Sequence, residues 1–179
     1  MSRRLSVLLT GLLLAGLASA PHAAVAGGTA PGSSAATSGT APGARTAALS
    51  TAQFETRLIA LTNARRAKVG CRALRTNLAL ISAARRHTDR MIATGSFSHQ
   101  VPREAGLASR IVRAGYTPWR ALAENIAWGG GQTPATMFSM WMHSAPHRAN
   151  IQNCALRDIG YGVRYGGGAV WATADFGRH

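Results

Sequence analysis

The hydrophobic period of this chain changes once, and that change dictates its fold class. From about Thr51 to Thr94 apolar residues recur three and four apart, whereas from Ile159 to Phe176 they alternate. In the first stretch Phe54, Leu58, Leu61 and Ala64 share a helical face over Thr51 to Val69, with Ser50 or Thr51 placed to cap its start and Gly70 to end it. Asn77 is placed to cap a second helix over Leu78 to Thr94, stopped by Gly95, whose apolar face reads Leu80, Ala84, His87 and Met91. A short helix is expected over Leu107 to Ala114, ended by Gly115. Thr133-Pro134 marks another start, a capping residue followed by proline at the first helical position. Met137, Met140, Trp141 and Ser144 then share a face, and Pro146 is expected to end that helix. In the last stretch Ile159, Tyr161, Val163 and Tyr165 alternate with small or polar residues, and Gly166-Gly167-Gly168 turns the chain into Ala169 to Phe176, forming a hairpin. Helices first and antiparallel strands last describe an α+β domain.

The periodic segments begin only near Ser50. Residues 1–26 have the form of a secretory signal: Arg3 and Arg4 open it, and Leu5 to Ala18 is an apolar run broken only by small or polar residues. That run is short of the roughly 20 residues that span a bilayer, so a cleaved leader is expected, with no transmembrane segment in the mature chain. Cleavage after Ala20 leaves Pro21 first, a poor residue there; cleavage after Ala26 meets no such obstacle and is preferred. Residues 27–49 are almost all Ala, Gly, Ser, Thr and Pro, too poor in apolar surface to offset the entropy of ordering, and read as a disordered linker. Residues 50–179 remain for the domain, enough for a core without a structural metal.

Cys71 and Cys154 are the only cysteines, and an exported pair with no third thiol is expected to be bonded. Such a bond is worth roughly 4 kcal/mol in the chain-entropy account. The formal net charge is +14, and every basic residue but Lys68 is arginine. The charges are spread in short pairs such as Arg65-Arg66 and Arg85-Arg86, without the basic cluster interleaved with aromatics that marks nucleic-acid binding, so no nucleic-acid partner is expected. Attraction to an anionic cell-wall polymer or to lipid head groups is the use this charge suggests, with plain solubility as the simpler account.

No nucleophile elbow, phosphate loop, zinc-protease helix or calcium loop is present. What stands out is a set of polar residues among apolar or small neighbours: His99, Glu124 and His147. Acids are scarce, six in the whole chain, and a carboxylate flanked by Ala123, Ile126 and Trp128 needs a partner. Two imidazoles and a carboxylate can bind a divalent metal or move a proton. They can equally be a network that fixes loops and does no chemistry. His87, inside an apolar stripe, is expected to be a hydrogen-bonded core residue, and His143, on another helix face, to be exposed.

Phe97-Ser98-His99, Gly115-Tyr116, Ala123-Glu124-Asn125-Ile126-Ala127 and Trp141-Met142-x-Ser144-x-x-His147-Arg148-x-Asn150-Ile151 follow one another in the order and spacing of bacterial CAP-domain proteins. Asn63-Ala64-Arg65-Arg66 with Gly70, Ile159-Gly160-Tyr161-Gly162-Val163 and Trp171 through Gly177 match the same pattern, so the resemblance covers nearly all of Phe54 to Gly177. The resemblance implies a three-layer α-β-α sandwich around a short antiparallel sheet, with a cleft carrying two histidines and two acids that in some members holds zinc. His99 and Glu124 match the first histidine and first acid. Ser144 stands where eukaryotic members often carry the second acid, and His147 resembles the bacterial stand-in for the second histidine. Asn125, Arg148 and Asn150 match residues that fix the loops around the cleft. The resemblance requires no cofactor; zinc or another divalent ion held by His99 and His147 is the one it suggests. It also implies a secreted, extracellular binding or interaction module for a metal or a small lipid-like ligand. The alternatives are a hydrolase of cell-wall or peptide substrates using Glu124, His99 and His147, and a passive basic protein held at the cell wall.

Overall fold

The computed structural model of the protein describes residues 48–179. The expected leader, and the expected linker apart from residues 48 and 49, lie outside the described residues. Helix α1 spans Thr51–Lys68 and opens on a reciprocal cap, the Ser50 hydroxyl accepting from the Gln53 amide while the Gln53 side chain accepts from the Ser50 amide. Its buried face is not the expected run of four apolar residues. Phe54 and Leu58 are buried as expected, but Ala64 is exposed, and the face continues through Thr62 and Arg66, with Glu55 at its start. Those polar side chains are fully engaged, which is what allows them inside: Thr62 hydrogen-bonds Tyr161 at 2.7 Å, and Arg66 donates to four backbone carbonyls.

After strand β1 (Arg75–Thr76), Asn77 caps helix α2 (Leu78–Thr94) through the amides of Ala79 and Leu80, and Gly95 ends it at φ 62°. Helix α3 is Leu107–Arg113 and strand β2 is Ala121–Gly130. Helix α4 (Pro134–His143) starts at Thr133-Pro134 as its sequence indicates. Met140, expected on the buried face, is exposed, while Met137 and Trp141 are buried. Pro146 does not close a helix into a loop. The chain breaks at Ser144, which takes an extended conformation, and Pro146 sits in the first turn of a new helix, α5 (Ala145–Gln152), where its missing N–H costs nothing. Strands β3 (Asp158–Gly166) and β4 (Ala169–Arg178) form the expected hairpin.

The sheet order is β1-β3-β4-β2, antiparallel except for the two-residue β1–β3 pair. One face carries Ile159, Tyr161, Val163, Ala172, Ala174 and Phe176 against α1, α4 and α5. The opposite face lies under α2, and the sequence Ile159-Gly160-Tyr161-Gly162-Val163 explains how closely. A Cβ at Gly160 would stand 2.1 Å from the Ile81 amide nitrogen, and one at Gly162 would stand 2.3 Å from that of Arg85. Helix α2 thus rests backbone-on-backbone on β3, and Thr88 reaches the Gly162 carbonyl at 3.0 Å. Gly160→Ala is expected to lift α2 and to cost about 2 kcal/mol, as overpacking against rigid backbone does. Urea unfolding of the variant measures it, and a midpoint equal to the parent's would refute the close approach.

The edge of β3 beyond its short pairing with β1 is covered by a side chain: the Val163 amide donates to Glu55 at 3.0 Å, and Arg85 clamps the same carboxylate. Cys71 and Cys154 are disulfide-bonded, as expected, with Cα atoms 5.0 Å apart.

Candidate functional site

The polar side chains of the α2 face converge at one end of the sheet. Glu124 on β2 stands opposite Asp175 on β4, and both face the same side as Ile126 and Trp128. Helix α2 contributes His87, the loop between α2 and α3 brings His99 and Glu104, and α3 brings Arg110. Glu124 is buried and both its oxygens are engaged: Oε1 with His99 Nδ1 at 2.8 Å, Oε2 with an Arg110 Nη at 2.5 Å. Arg110 also donates to Glu104 at 3.3 Å, and Glu104 hydrogen-bonds His87 Nδ1 at 2.6 Å. The other His87 nitrogen lies 3.9 Å from Glu124 Oε1 and has no hydrogen-bond partner.

These contacts set which groups are charged. Burial alone would raise the Glu124 carboxyl; the His99 hydrogen bond and the charges of Arg110 and His87 outweigh it and hold Glu124 below its ordinary value. Asp175 has the opposite fate. It is 1 % exposed, neither of its oxygens has a hydrogen-bond partner, and burial together with the negative charge of Glu124 pushes its carboxyl well above the ordinary aspartate value. Two acids facing each other thus split into one carboxylate and one carboxylic acid. Burial, and then the charge of His99, hold His147 below its ordinary value, favouring the neutral imidazole.

His99 and Glu124 are in direct contact. His147 on α5 is placed from the other side of β2: Asn125 donates to the His147 carbonyl at 3.0 Å, and Asn150 donates to Asn125 at 2.8 Å and to the Glu124 carbonyl at 3.3 Å. Arg148 donates to the Met142 carbonyl at 2.8 Å, tying the end of α4 to α5. Ser144 forms the joint between those helices and makes no side-chain cap bond to α5. His143 is exposed and engages the Ser139 carbonyl on its own helix at 2.8 Å. His87 is the expected buried histidine, yet it belongs to the carboxylate network. Glu104, Arg110 and Asp175 escaped the sequence reading, although the scarcity of acids that singled out Glu124 applies equally to Glu104 and Asp175.

Beside His99 the surface is aromatic. Phe97 and Trp128 are each 48 % exposed, and with Trp171 they form a cluster whose ring centroids lie 5.4–6.4 Å apart. Trp128 and Trp171 are register partners two side-chain positions along from Glu124 and Asp175 on the same sheet face.

The model of the CAP, or cysteine-rich secretory protein, family matches residues 59–176. The chain belongs to the CAP family. YkwD of Bacillus subtilis (strain 168) is 31% identical to it over 129 residues, which is 72% of this chain and 49% of YkwD, so the chain spans about half the length of that relative. Solved structures with a similar fold include two bacterial proteins. One is an extracellular protein containing a SCP domain from Bacillus anthracis str. Ames, with a TM-score of 0.66, 24% identity, and coverage of 74% of this chain and 45% of that one. The other is an outer surface protein from Borrelia burgdorferi, with a TM-score of 0.67, 16% identity, and coverage of 73% and 96%. Among the described residues no helix is long and apolar enough to cross a membrane, and no three His, Cys, Asp or Glu side chains are disposed to hold a metal ion in this CAP domain.

Proposed function

We propose that this CAP domain is an exported binding module whose ligand meets the His99 edge and the aromatic cluster beside it. The observation that carries the reading is the contrast within one hydrogen-bonded pair: the His99 side chain is 56% exposed, while the Glu124 side chain that fixes its Nδ1 is 3% exposed. A ring held that rigidly presents its Nε2 outward in one tautomer and one orientation, which is how a second partner sets a histidine for ligand or metal. Phe97, Trp128 and Trp171 supply an apolar surface next to it, suited to a ring or chain of a lipid-like ligand. The residue 1–26 segment and the disulfide support export.

The donor chemistry bears on a metal as well. His99 offers Nε2 and His147 a ring biased to its neutral, metal-binding form, but Glu124 has no oxygen to spare. A divalent ion would rest on the two imidazoles and water, and would polarise a bound oxygen of the ligand. The same engagement weighs against Glu124 as a general base, since a base works best with a pKa near ambient pH and Glu124 is held low.

Titration of metal-free protein with Zn²⁺, followed by calorimetry and tryptophan emission, tests this. One saturable site is expected, lost in the His99→Ala, His147→Ala double variant. No heat, or unchanged affinity in the double variant, removes the metal from the proposal. Turnover of peptide or wall fragments that disappears in Glu124→Gln would instead establish a hydrolase and overturn the binding reading.

A further inference from the structure

All six Asp and Glu residues of the chain lie among the described residues. Five of them pair with Arg75, Arg85, Arg110, Arg164 or histidine, and Asp175 is buried without a cation in contact. No other described arginine lies within ion-pair distance of an Asp or Glu. Four of these other arginines, Arg86, Arg90, Arg103 and Arg113, line a single groove of about 400 Å³ formed by α2, α3 and the loop that joins them. Both acids in that groove are already committed, Asp89 to Arg164 at 2.7 Å and Glu104 to His87 and Arg110. At the groove floor the charge of Arg110 is matched by Glu104 and Glu124. Arg110 lines the groove, is 7 % exposed, and its buried Nε has no partner.

Arg103 is the only described non-glycine residue in the left-handed region, at φ 60°. An arginine gains nothing intrinsic from that conformation, which glycine or asparagine adopts at lower cost. Strain of this kind is retained where a side chain must be aimed. Like charges held together around a concavity lower the stability of the free protein and are relieved when an anion enters.

We propose that the α2–α3 groove is a binding site for a linear polyanion without bases, carrying oxyanion groups in series, gripped by Arg86, Arg90, Arg103 and Arg113. The forked guanidinium suits such groups, and it recurs here on two helices and a loop, as a chain running along the groove requires. A lipid bilayer fits less well, because the groove is concave and its only apolar lining residues are Ala83 and Ala105, with nothing to insert. No aromatic ring lines it on which a nucleic-acid base could stack. The site is distinct from the His99 edge, and the fate of the zinc titration leaves it untouched.

The test is calorimetric titration of the whole chain with linear polyphosphate at about 50 mM and about 200 mM salt, where counterion release makes polyanion binding strongly salt-dependent. The Arg86→Ala, Arg113→Ala double variant is expected to lose at least tenfold in affinity and roughly two from the slope of log K against log salt. An Arg57→Ala, Arg178→Ala double variant, with the same charge removed elsewhere, is expected to lose less than twofold. Arg103→Gly separates strain from grip: its melting temperature should hold or rise while affinity falls roughly threefold to fivefold. Equal losses in the two double variants, or an Arg103→Gly protein with parental affinity, overturns the proposal. So does groove-dependent binding to phosphatidylglycerol vesicles without binding to polyphosphate, which assigns the groove to a membrane, and tighter binding to single-stranded DNA, which assigns it to nucleic acid.

Discussion

Arg66→Met is expected to cost about 4 kcal/mol and to lower the melting temperature by roughly 15 °C. Arg66 is 0 % exposed, on the inner face of α1, with no carboxylate within ion-pair distance. Its guanidinium is used entirely on backbone oxygens: Nε donates to the Arg72 carbonyl at 2.9 Å, one Nη to Ile151 and Asn153 at 3.0 and 2.9 Å, and the other to Leu156 at 3.1 Å. Those carbonyls belong to the segment after Gly70 and to the end of α5 with the turn that follows it, the two places the Cys71–Cys154 bond joins. Burial, and then the charge of Arg157, lower the Arg66 pKa, but a guanidinium stays charged at any working pH. Methionine fills a similar volume and takes a donor from all four carbonyls; Asn153 keeps the Leu156 amide and Leu156 keeps Arg157, but the Arg72 and Ile151 carbonyls lose their donor, at about 1–3 kcal/mol each when water cannot replace it. Lysine is expected to recover only part of the loss, because an ammonium cannot fork to all four carbonyls. Thermal unfolding of the two variants under oxidising conditions decides it. A methionine variant within about 3 °C of the parent would show that the disulfide alone secures this junction.

Arg66 also shows where sequence reading stops. In the sequence it belongs to Arg65-Arg66, one of several short basic pairs, and nothing in its neighbours marks it as buried while Arg65 is not. Burial of a charge depends on distant carbonyls converging on it, so periodicity runs the α1 face from Phe54 and Leu58 on to Leu61 and Ala64, whereas the fold runs it on through Thr62 and Arg66. The helices α1, α2 and α4 are legible because caps and glycines bracket them locally. Strand β2 is not, since both of its faces are covered: Glu124, Ile126 and Trp128 meet α2 and its loop, while Asn125 and Ala127 meet α4 and α5, so no alternation survives. Helix α5 hides behind Pro146, which reads equally as a stop or as a first-turn residue. The site is half legible. His99, Glu124 and His147 come from motif spacing, but Asp175 sits in Ala174-Asp175-Phe176 with no local sign that it faces a second acid, and that pairing is a property of strand register alone.

That pairing gives the pH behaviour of the fold, and Glu124→Gln should change it. A carboxylate held below its ordinary value of 4.5 contributes stability that is present above that pH and is lost as pH falls through the lowered folded value. Asp175 runs the other way: the unfolded chain ionises it near 3.8 while the folded chain keeps it protonated, so stability declines as pH rises above 3.8 toward the raised folded value. The two limbs place the stability maximum of this pair on the acid side, at about pH 4–5. Replacing Glu124 by glutamine keeps an acceptor for His99 but leaves Arg110 buried with Glu104 alone. The expected cost at neutral pH is about 3 kcal/mol, toward the lower end for breaking a buried pair because Glu104 remains. The acid limb vanishes, and with the opposing negative charge gone the rise of Asp175 shrinks, so the limb above 3.8 shortens as well. Adding Asp175→Asn should flatten the profile further, whereas replacing both Arg110 and Glu124 by apolar residues of similar size should return most of the lost stability, since no buried charge is then unpaired. Melting temperatures of the four proteins between pH 3 and pH 8 provide the comparison. A Glu124→Gln protein with the parent's pH profile would mean that Glu124 and Asp175 do not share the field of Arg110, and the division into one carboxylate and one acid would have to be given up.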